Sequence, residues 1–188
     1  MIIMISGKQG SGKSTITSVL LRSLSNDGFF AEECRFAGAI YDMHNFCLSY
    51  IKQRGIQVPD KDGKLLQFLG TDWARKQYGE NIWVDLLKTG ILNDNHNDFY
   101  IISDCRFENE FDAFPEAFRV RLECPEEIRK NRAHGWRENT EHPSETGLDG
   151  YAADHMFDLY INTSVVPAED CARVILSDYN AGNWRTRL

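Results

Sequence analysis

Gly7-Lys8-Gln9-Gly10-Ser11-Gly12-Lys13-Ser14, followed by Thr15, is the stretch on which the reading of this chain turns. It satisfies the pattern G-x-x-x-x-G-K-[ST] in full, a match that background residue frequencies produce in roughly one chain of this length in a hundred. The context on both sides fits. Ile2 to Ser6 is a run of β-branched and apolar residues that reads as a buried strand. From Ser14 to Asp27, the residues Ile16, Val19, Leu20 and Leu24 fall on one helical face, and Gly28 supplies a stop. Strand, glycine loop and helix together make an anion receptor. The glycines let successive N–H groups curl inward, and the helix adds unpaired N–H groups and the positive end of its dipole. Lys13 can reach the β- and γ-phosphates of a nucleoside triphosphate, and the Ser14 hydroxyl can ligate Mg²⁺. The expected ATP-binding set is Gly7, Lys8, Gly10, Ser11, Gly12, Lys13, Ser14 and Thr15.

Outward from this loop, strands and helices alternate. Strands are expected near Phe29 to Phe36, from Phe99 to Ser103, from Phe118 to Glu123 and from Leu159 to Ile161. Helices are expected from about Ala39 to Arg54, Lys64 to Tyr78 (with Gly70 as a break), Ile82 to Leu92 and Pro167 to Tyr179. Such alternation implies right-handed crossovers and a central, mainly parallel sheet. The expected fold is a three-layer α/β P-loop NTPase domain. No repeat period or Pro/Ser-rich linker breaks the chain, so residues 1–188 are read as one domain.

Composition narrows the function. The 188 residues carry 21 Lys+Arg against 28 Asp+Glu, a formal charge of −7, which disfavours a general nucleic-acid binder. No stretch approaches the ~20 apolar residues that span a bilayer, and Met1 to Ile5 lacks a basic leader and a cleavage site. Five scattered cysteines (Cys34, Cys47, Cys105, Cys124, Cys171) form neither a disulfide framework nor a zinc site. A reducing cytoplasm is the expected compartment, with no membrane and no nucleic-acid partner. His44, His96, His134 and His155 show no metal-ligand spacing.

A kinase that holds two phosphorylated ligands needs cations beyond the loop lysine, and three segments offer them. Asp104-Cys105-Arg106-Phe107-Glu108-Asn109-Glu110 follows a strand end, where ligands of open α/β sheets bind. Asp104 can orient the Mg²⁺ shell, through water if not directly, and Arg106 can fork a phosphate. The plainer reading makes Asp104 a helix cap. In Leu69-Gly70-Thr71-Asp72-Trp73-Ala74-Arg75, Thr71 and Arg75 share a helical face, so Arg75 can clamp a monophosphate beside the Trp73 ring. A core tryptophan with an Asp72–Arg75 ion pair is the alternative. Third, Arg119, Arg121, Arg129, Lys130, Arg132 and Arg137 crowd a short interval. Arg129, Lys130, Arg132 and Arg137 suit a lid that closes on the transferring phosphoryl group, or an ordinary solvated helix. Arg119 and Arg121 read as strand residues. Glu141-His142-Pro143-Ser144-Glu145 reads as a loop fixing the lid base.

The P-loop, Phe68 to Arg75, Ile102 to Glu110, His142-Pro143-Ser144-Glu145 and Tyr160-Ile161-Asn162-Thr163 stand in an order that resembles the bacteriophage deoxynucleoside monophosphate kinases. The likeness runs from Ile2 to about Thr163. It implies a helical monophosphate-binding region at about 37–95 and a lid at about 125–146. It also implies transfer of the γ-phosphate of ATP to a deoxynucleoside 5′-monophosphate, with Mg²⁺. Carried onto this chain, Lys13, Asp104, Arg106 and Arg132 would serve catalysis. Trp73, Arg75, Asp104, Arg106 and Glu110 would face the acceptor, and Arg129 and Arg132 would be lid cations. The partners would be small nucleotides, with a homodimer left open. Glu108 stands where proline is common in such sequences, which loosens the expected turn after Arg106.

Other readings are a kinase of a ribonucleotide or of dephospho-coenzyme A, a nucleotide-dependent switch, and a DNA-packaging or helicase-type motor. Against the switch, no Asn-Lys-x-Asp reads guanine; against the motor stand the short chain and negative charge.

Overall fold

A computed structural model describes residues 1–132, 136 and 143–182. In chain order the elements begin with β1 (Ile2–Gly7), α1 (Lys13–Asn26), β2 (Ala31–Cys34) and α2 (Gly38–Lys52). Next come α3 (Gly63–Gln67), a π-helical stretch (Phe68–Arg75), α4 (Lys76–Tyr78) and α5 (Ile82–Asn93). The remainder is β3 (Phe99–Cys105), α6 (Glu108–Phe111), β4 (Phe118–Glu123), α7 (Glu126–Arg132), α8 (Pro143–Thr146), α9 (Asp149–Ala153), β5 (Leu159–Asn162) and α10 (Ala168–Ala181). Backbone contacts divide the chain into two units, one of residues 1–34 and 94–188, the other Arg35–Asn93.

The first unit holds a five-stranded sheet in the order β2-β3-β1-β4-β5, parallel at every pairing. Helices flank it in the three-layer arrangement expected. Strand periodicity sorts the side chains. Ile3, Ile5, Phe99, Ile101, Phe118, Val120, Leu122 and Ile161 point to one face, where Ile16, Val19, Leu20 and Leu24 of α1 and Cys171, Ala172, Ile175 and Tyr179 of α10 complete a core. Arg119 and Arg121, offset by one residue on β4, lie on the other face. There the Arg119 guanidinium sits 4.6 Å from the Phe111 ring centroid, and Phe111 packs edge-on to Phe157 at 5.0 Å.

Register carries the chain into the site. Ser6 pairs with Cys105 of β3 on one side and with Arg121 of β4 on the other, and Gly7 pairs with Leu122. The loop leaving β1 therefore emerges between the carboxyl ends of β3 and β4, the position predicted for ligands in such sheets.

In the second unit, Gly70 does not break the helix expected from Lys64 to Tyr78. The chain passes through a π-helical stretch instead, and the Gly70 carbonyl accepts the Trp83 indole N–H at 2.9 Å. Buried His44 accepts the Asp62 backbone N–H on Nε2 at 2.9 Å, which makes it a structural anchor of the loop before α3. Trp73 meets Tyr78 edge-on at 5.7 Å, and Asp72 pairs with Lys76 at 2.8 Å. Trp73 and Arg75 both belong to this unit. The second strand is shorter than the Phe29 to Phe36 expected: at the edge of the sheet it pairs only with β3, over Ala31–Cys34. No helix among the described residues is long and apolar enough to cross a membrane.

Candidate functional site

The Gly7 to Ser14 loop is tightly enclosed. Gly10 has φ +77°, and a Cβ there would lie 2.6 Å from the Arg129 carbonyl oxygen, so only glycine fits both the backbone and the space. Ser11 N–H closes the turn on the Lys8 carbonyl at 3.1 Å, and Thr163 of the β5–α10 connection donates to Ser11 O at 2.9 Å. Lys13 turns back over this loop: its ammonium donates to the Gly7 carbonyl and to Lys8 O at 3.0 Å.

Around Lys13 gather charges from three distant parts of the chain. Burial is the largest influence on its pKa, followed by repulsion from Arg106, attraction by Glu145, repulsion from Arg121 and attraction by Asp104; the balance lowers it to about 7. A polyphosphate placed against this ammonium restores the charged form. Nucleotide binding at pH 8 is therefore expected to take up close to one proton. Calorimetry in buffers of different ionisation enthalpy would read this as a binding enthalpy that tracks the buffer; no buffer dependence would contradict it.

Asp104 and Arg106 leave the end of β3. Arg106 Nη1 donates to Glu145 Oε1 at 2.9 Å and to Ser144 O at 3.1 Å. The buried Glu110 carboxylate accepts the backbone N–H groups of Arg106 at 2.8 Å and Phe107 at 3.1 Å. Glu110 thus holds the turn after Arg106, and Glu108, not proline, opens α6.

The basic segment after β4 is placed differently from a row of free cations. Arg129 is buried and donates to Cys124 O and Gln9 O, both at 3.0 Å. Arg132 donates to the Thr163 carbonyl at 3.0 Å, and Lys130 pairs with Glu126 at 2.8 Å. Arg129 and Lys130 also lie 5.4 Å and 5.7 Å from the Trp136 ring centroid. Arg137 and His142 lie outside the described residues.

Three residues that sequence reasoning did not assign to the site belong to it. Arg121, only 7% exposed, donates from Nη1 to Ser6 Oγ at 3.1 Å and from Nη2 to Asp149 Oδ1 at 2.9 Å. Asp149 also accepts from Lys8 Nζ at 2.7 Å, and Glu145 Oε2 accepts the Gln9 backbone N–H at 2.6 Å. Arg121 carried a usable clue: an arginine on an inner strand of a parallel sheet is covered on both faces, so it needs a partner. Beside the loop opens a cavity of about 490 Å³, lined in part by Lys8, Arg121, Glu123, Arg129, Asp149 and Asn162. That volume lies in the range of small-molecule sites.

The donor set fits Mg²⁺ delivered on phosphates. Ser14 is an exposed hydroxyl in the first turn of α1, and Asp104 is a carboxylate at the neighbouring strand end. Among the described residues no cluster of three or more His, Cys, Asp or Glu side chains forms a metal cage, and Mg²⁺ bound through phosphate and water needs none.

An AAA domain family model matches residues 3–146, more than half of the chain. The chain belongs to the AAA domain family. No curated protein matches it. Among solved structures, the shikimate kinase of Acinetobacter baumannii in complex with shikimate superposes with a TM-score of 0.55 at 16% identity, covering 97% of this chain and 94% of that one. The shikimate kinase of Aquifex aeolicus gives 0.54 at 18% identity, covering 97% and 98%. An unliganded sugar kinase from a Janibacter species gives 0.53 at 18% identity, covering 95% and 94%. At these identities the likeness establishes the fold, that of the P-loop kinases.

Proposed function

We propose that the chain transfers the γ-phosphate of ATP to deoxynucleoside 5′-monophosphates, yielding ADP and deoxynucleoside diphosphates. The observation that carries this reading is the convergence on Lys13 of two further arginines, Arg106 and Arg121, from the strand ends flanking the loop. A triphosphate alone is served by the loop, its lysine and Mg²⁺; additional forked cations suit a second phosphate. The Asp104 to Glu110 motif and the order of the other motifs direct the choice to deoxynucleotides. Phosphoryl transfer is chiefly positioning and charge stabilisation, so this chain's part is to hold donor and acceptor in line and exclude water. Bound Mg²⁺ would neutralise charge on the β- and γ-oxygens, held from the protein by Ser14 and Asp104. Trp73 and Arg75 are assigned to the acceptor on the sequence resemblance.

A second reading, transfer to a hydroxyl, is favoured by the folds of the shikimate and sugar kinases and by Asp104, a carboxylate placed to accept a hydroxyl proton. ADP release from MgATP, run against deoxy- and ribonucleoside monophosphates, dephospho-coenzyme A, shikimate and hexoses, separates the two. Deoxynucleoside monophosphates are expected to give the highest kcat/KM with a matching diphosphate product. Turnover of a hydroxyl acceptor alone would overturn the proposal.

A further inference from the structure

Two carboxylates at the start of the segment leading to β5 repeat one contact pattern. Glu145 joins the Gln9 N–H of the loop to Arg106 at the end of β3. Asp149, four residues on, joins the neighbouring loop residue Lys8 to Arg121 of β4. Each carboxylate ties a donor on the phosphate loop to an arginine on, or directly after, the strand beside it. The Glu145 side chain is only 11% exposed, and the Arg106 side chain 32%. The backbone is pressed together at the same point: a Cβ on Gly147 would lie 2.7 Å from Arg106 O and 2.8 Å from Pro143 O. The α8 turn is thus seated on the residues that carry Arg106.

We infer that Glu145 and Asp149 form a clasp that positions Arg106 and Arg121 against the phosphate loop, Glu145 aiming Arg106 at the acceptor phosphate. The inference rests on the phosphoryl-transfer reading. Geometry explains the choice of a carboxylate. Glu145 offers one oxygen to each partner, so a single rigid group fixes the distance between loop and arginine. Charge fits as well: Lys8, Lys13, Arg106 and Arg121 face Asp104, Glu145 and Asp149, which leaves the cluster near neutral until phosphates arrive. Both carboxylates act through the cations they hold, as positioning residues.

Glu145→Gln is the informative variant. It keeps the shape but presents one oxygen and one NH₂, so only one of the two partners can be satisfied. In the full-length protein, the acceptor KM is expected to rise about 10-fold or more, while the affinity for a non-hydrolysable ATP analogue is not weakened. In an Arg106→Ala background, Glu145→Gln is expected to change acceptor kcat/KM less than about 2-fold, because its route of action is already gone. Equal effects in the two backgrounds, or an unchanged acceptor KM, would overturn the clasp. Should Glu145→Gln misfold, Glu145→Asp serves in its place, being too short to span both partners. Amide exchange at Gln9 supplies a readout independent of the acceptor: Glu145→Ala, which leaves no oxygen for the Gln9 N–H, is expected to speed it about 10-fold. A wild-type protein that turns over no acceptor defeats the functional reading alone. The clasp is then judged by Gln9 exchange, and an unchanged rate overturns it.

Discussion

Replacing Lys13 by alanine is expected to lower kcat/KM by about 10³-fold while raising the Tm of the same protein. The two effects share one cause. Lys13 is held against the Gly7 and Lys8 carbonyls, deep in the loop and beside two arginines. Under the proposed function its ammonium would meet the transferring phosphoryl group at short range, where a fixed cation stabilises developing charge far better than in water. The same burial makes the cation costly before nucleotide binds. With its pKa lowered from 10.5 to about 7, the unfolded chain binds the proton more readily across that window. The Lys13 contribution to stability therefore improves as pH rises from about 7 toward 10.5, and is least favourable below 7. Removing the side chain removes that penalty. A gain of about 1 kcal/mol would raise the Tm by roughly 2–4 °C at this chain length. Activity measured against a dNMP panel, with thermal unfolding of both proteins at pH 7, tests the pair. Near-normal turnover in a folded Lys13→Ala protein would defeat the loop's assigned role. A lowered Tm would show that the lysine's hydrogen bonds outweigh its desolvation.

How much of this could be read beforehand depended on how local the signal was. The strand–loop–helix unit was legible in full, because its pattern is written in eight consecutive residues with an apolar strand before them and an amphipathic helix after. The parallel sheet followed from the alternation of apolar strands with amphipathic helices, and the predicted strands at Phe99 and Phe118 match β3 and β4 closely. The π-helical stretch at Phe68–Arg75 was not legible. A fold expectation built on 3.6-residue periodicity treats Gly70 as a break, whereas the wider turn lets the helix run on and receive Trp83.

The placement of candidate residues was legible where a single strand end carries them, as with Asp104 and Arg106 at the end of β3. It was opaque where function depends on pairs far apart in sequence. Glu145 reaches Gln9 across 136 residues and Asp149 reaches Lys8 across 141, so no spacing rule links them. The basic run after β4 shows the reverse failure. Charge density marks Arg129 and Arg132 as candidates, but it cannot say which groups their donors meet. Here those groups include the carbonyls of Cys124, Gln9 and Thr163. A guanidinium held by carbonyls braces the loop, a task for which an arginine's several fixed donors suit it.

The second large effect concerns Arg106. Arg106→Ala is expected to lower acceptor kcat/KM by about 10²–10³-fold and to leave the affinity for an ATP analogue within a few-fold of wild type. Both of its bonds to α8 are made by Nη1, to Ser144 O and Glu145 Oε1, while Glu110 fixes its backbone. Anchored at one nitrogen, the guanidinium keeps its Nε–Nη2 edge in a set direction, and that edge matches the spacing of two phosphate oxygens. Under the proposed function its loss removes a cation assigned to the acceptor and not to the triphosphate, so donor binding and acceptor use should separate. Arg106→Lys distinguishes charge from geometry. A lysine supplies one ammonium, which cannot hold Glu145 and fork a phosphate at once, so it is expected to recover less than a tenth of the lost activity. Initial rates over varied acceptor at saturating ATP, together with calorimetry of the analogue, measure both quantities. Equal loss of acceptor use and analogue affinity would move Arg106 to the donor side. Full recovery by lysine would reduce its role to charge alone.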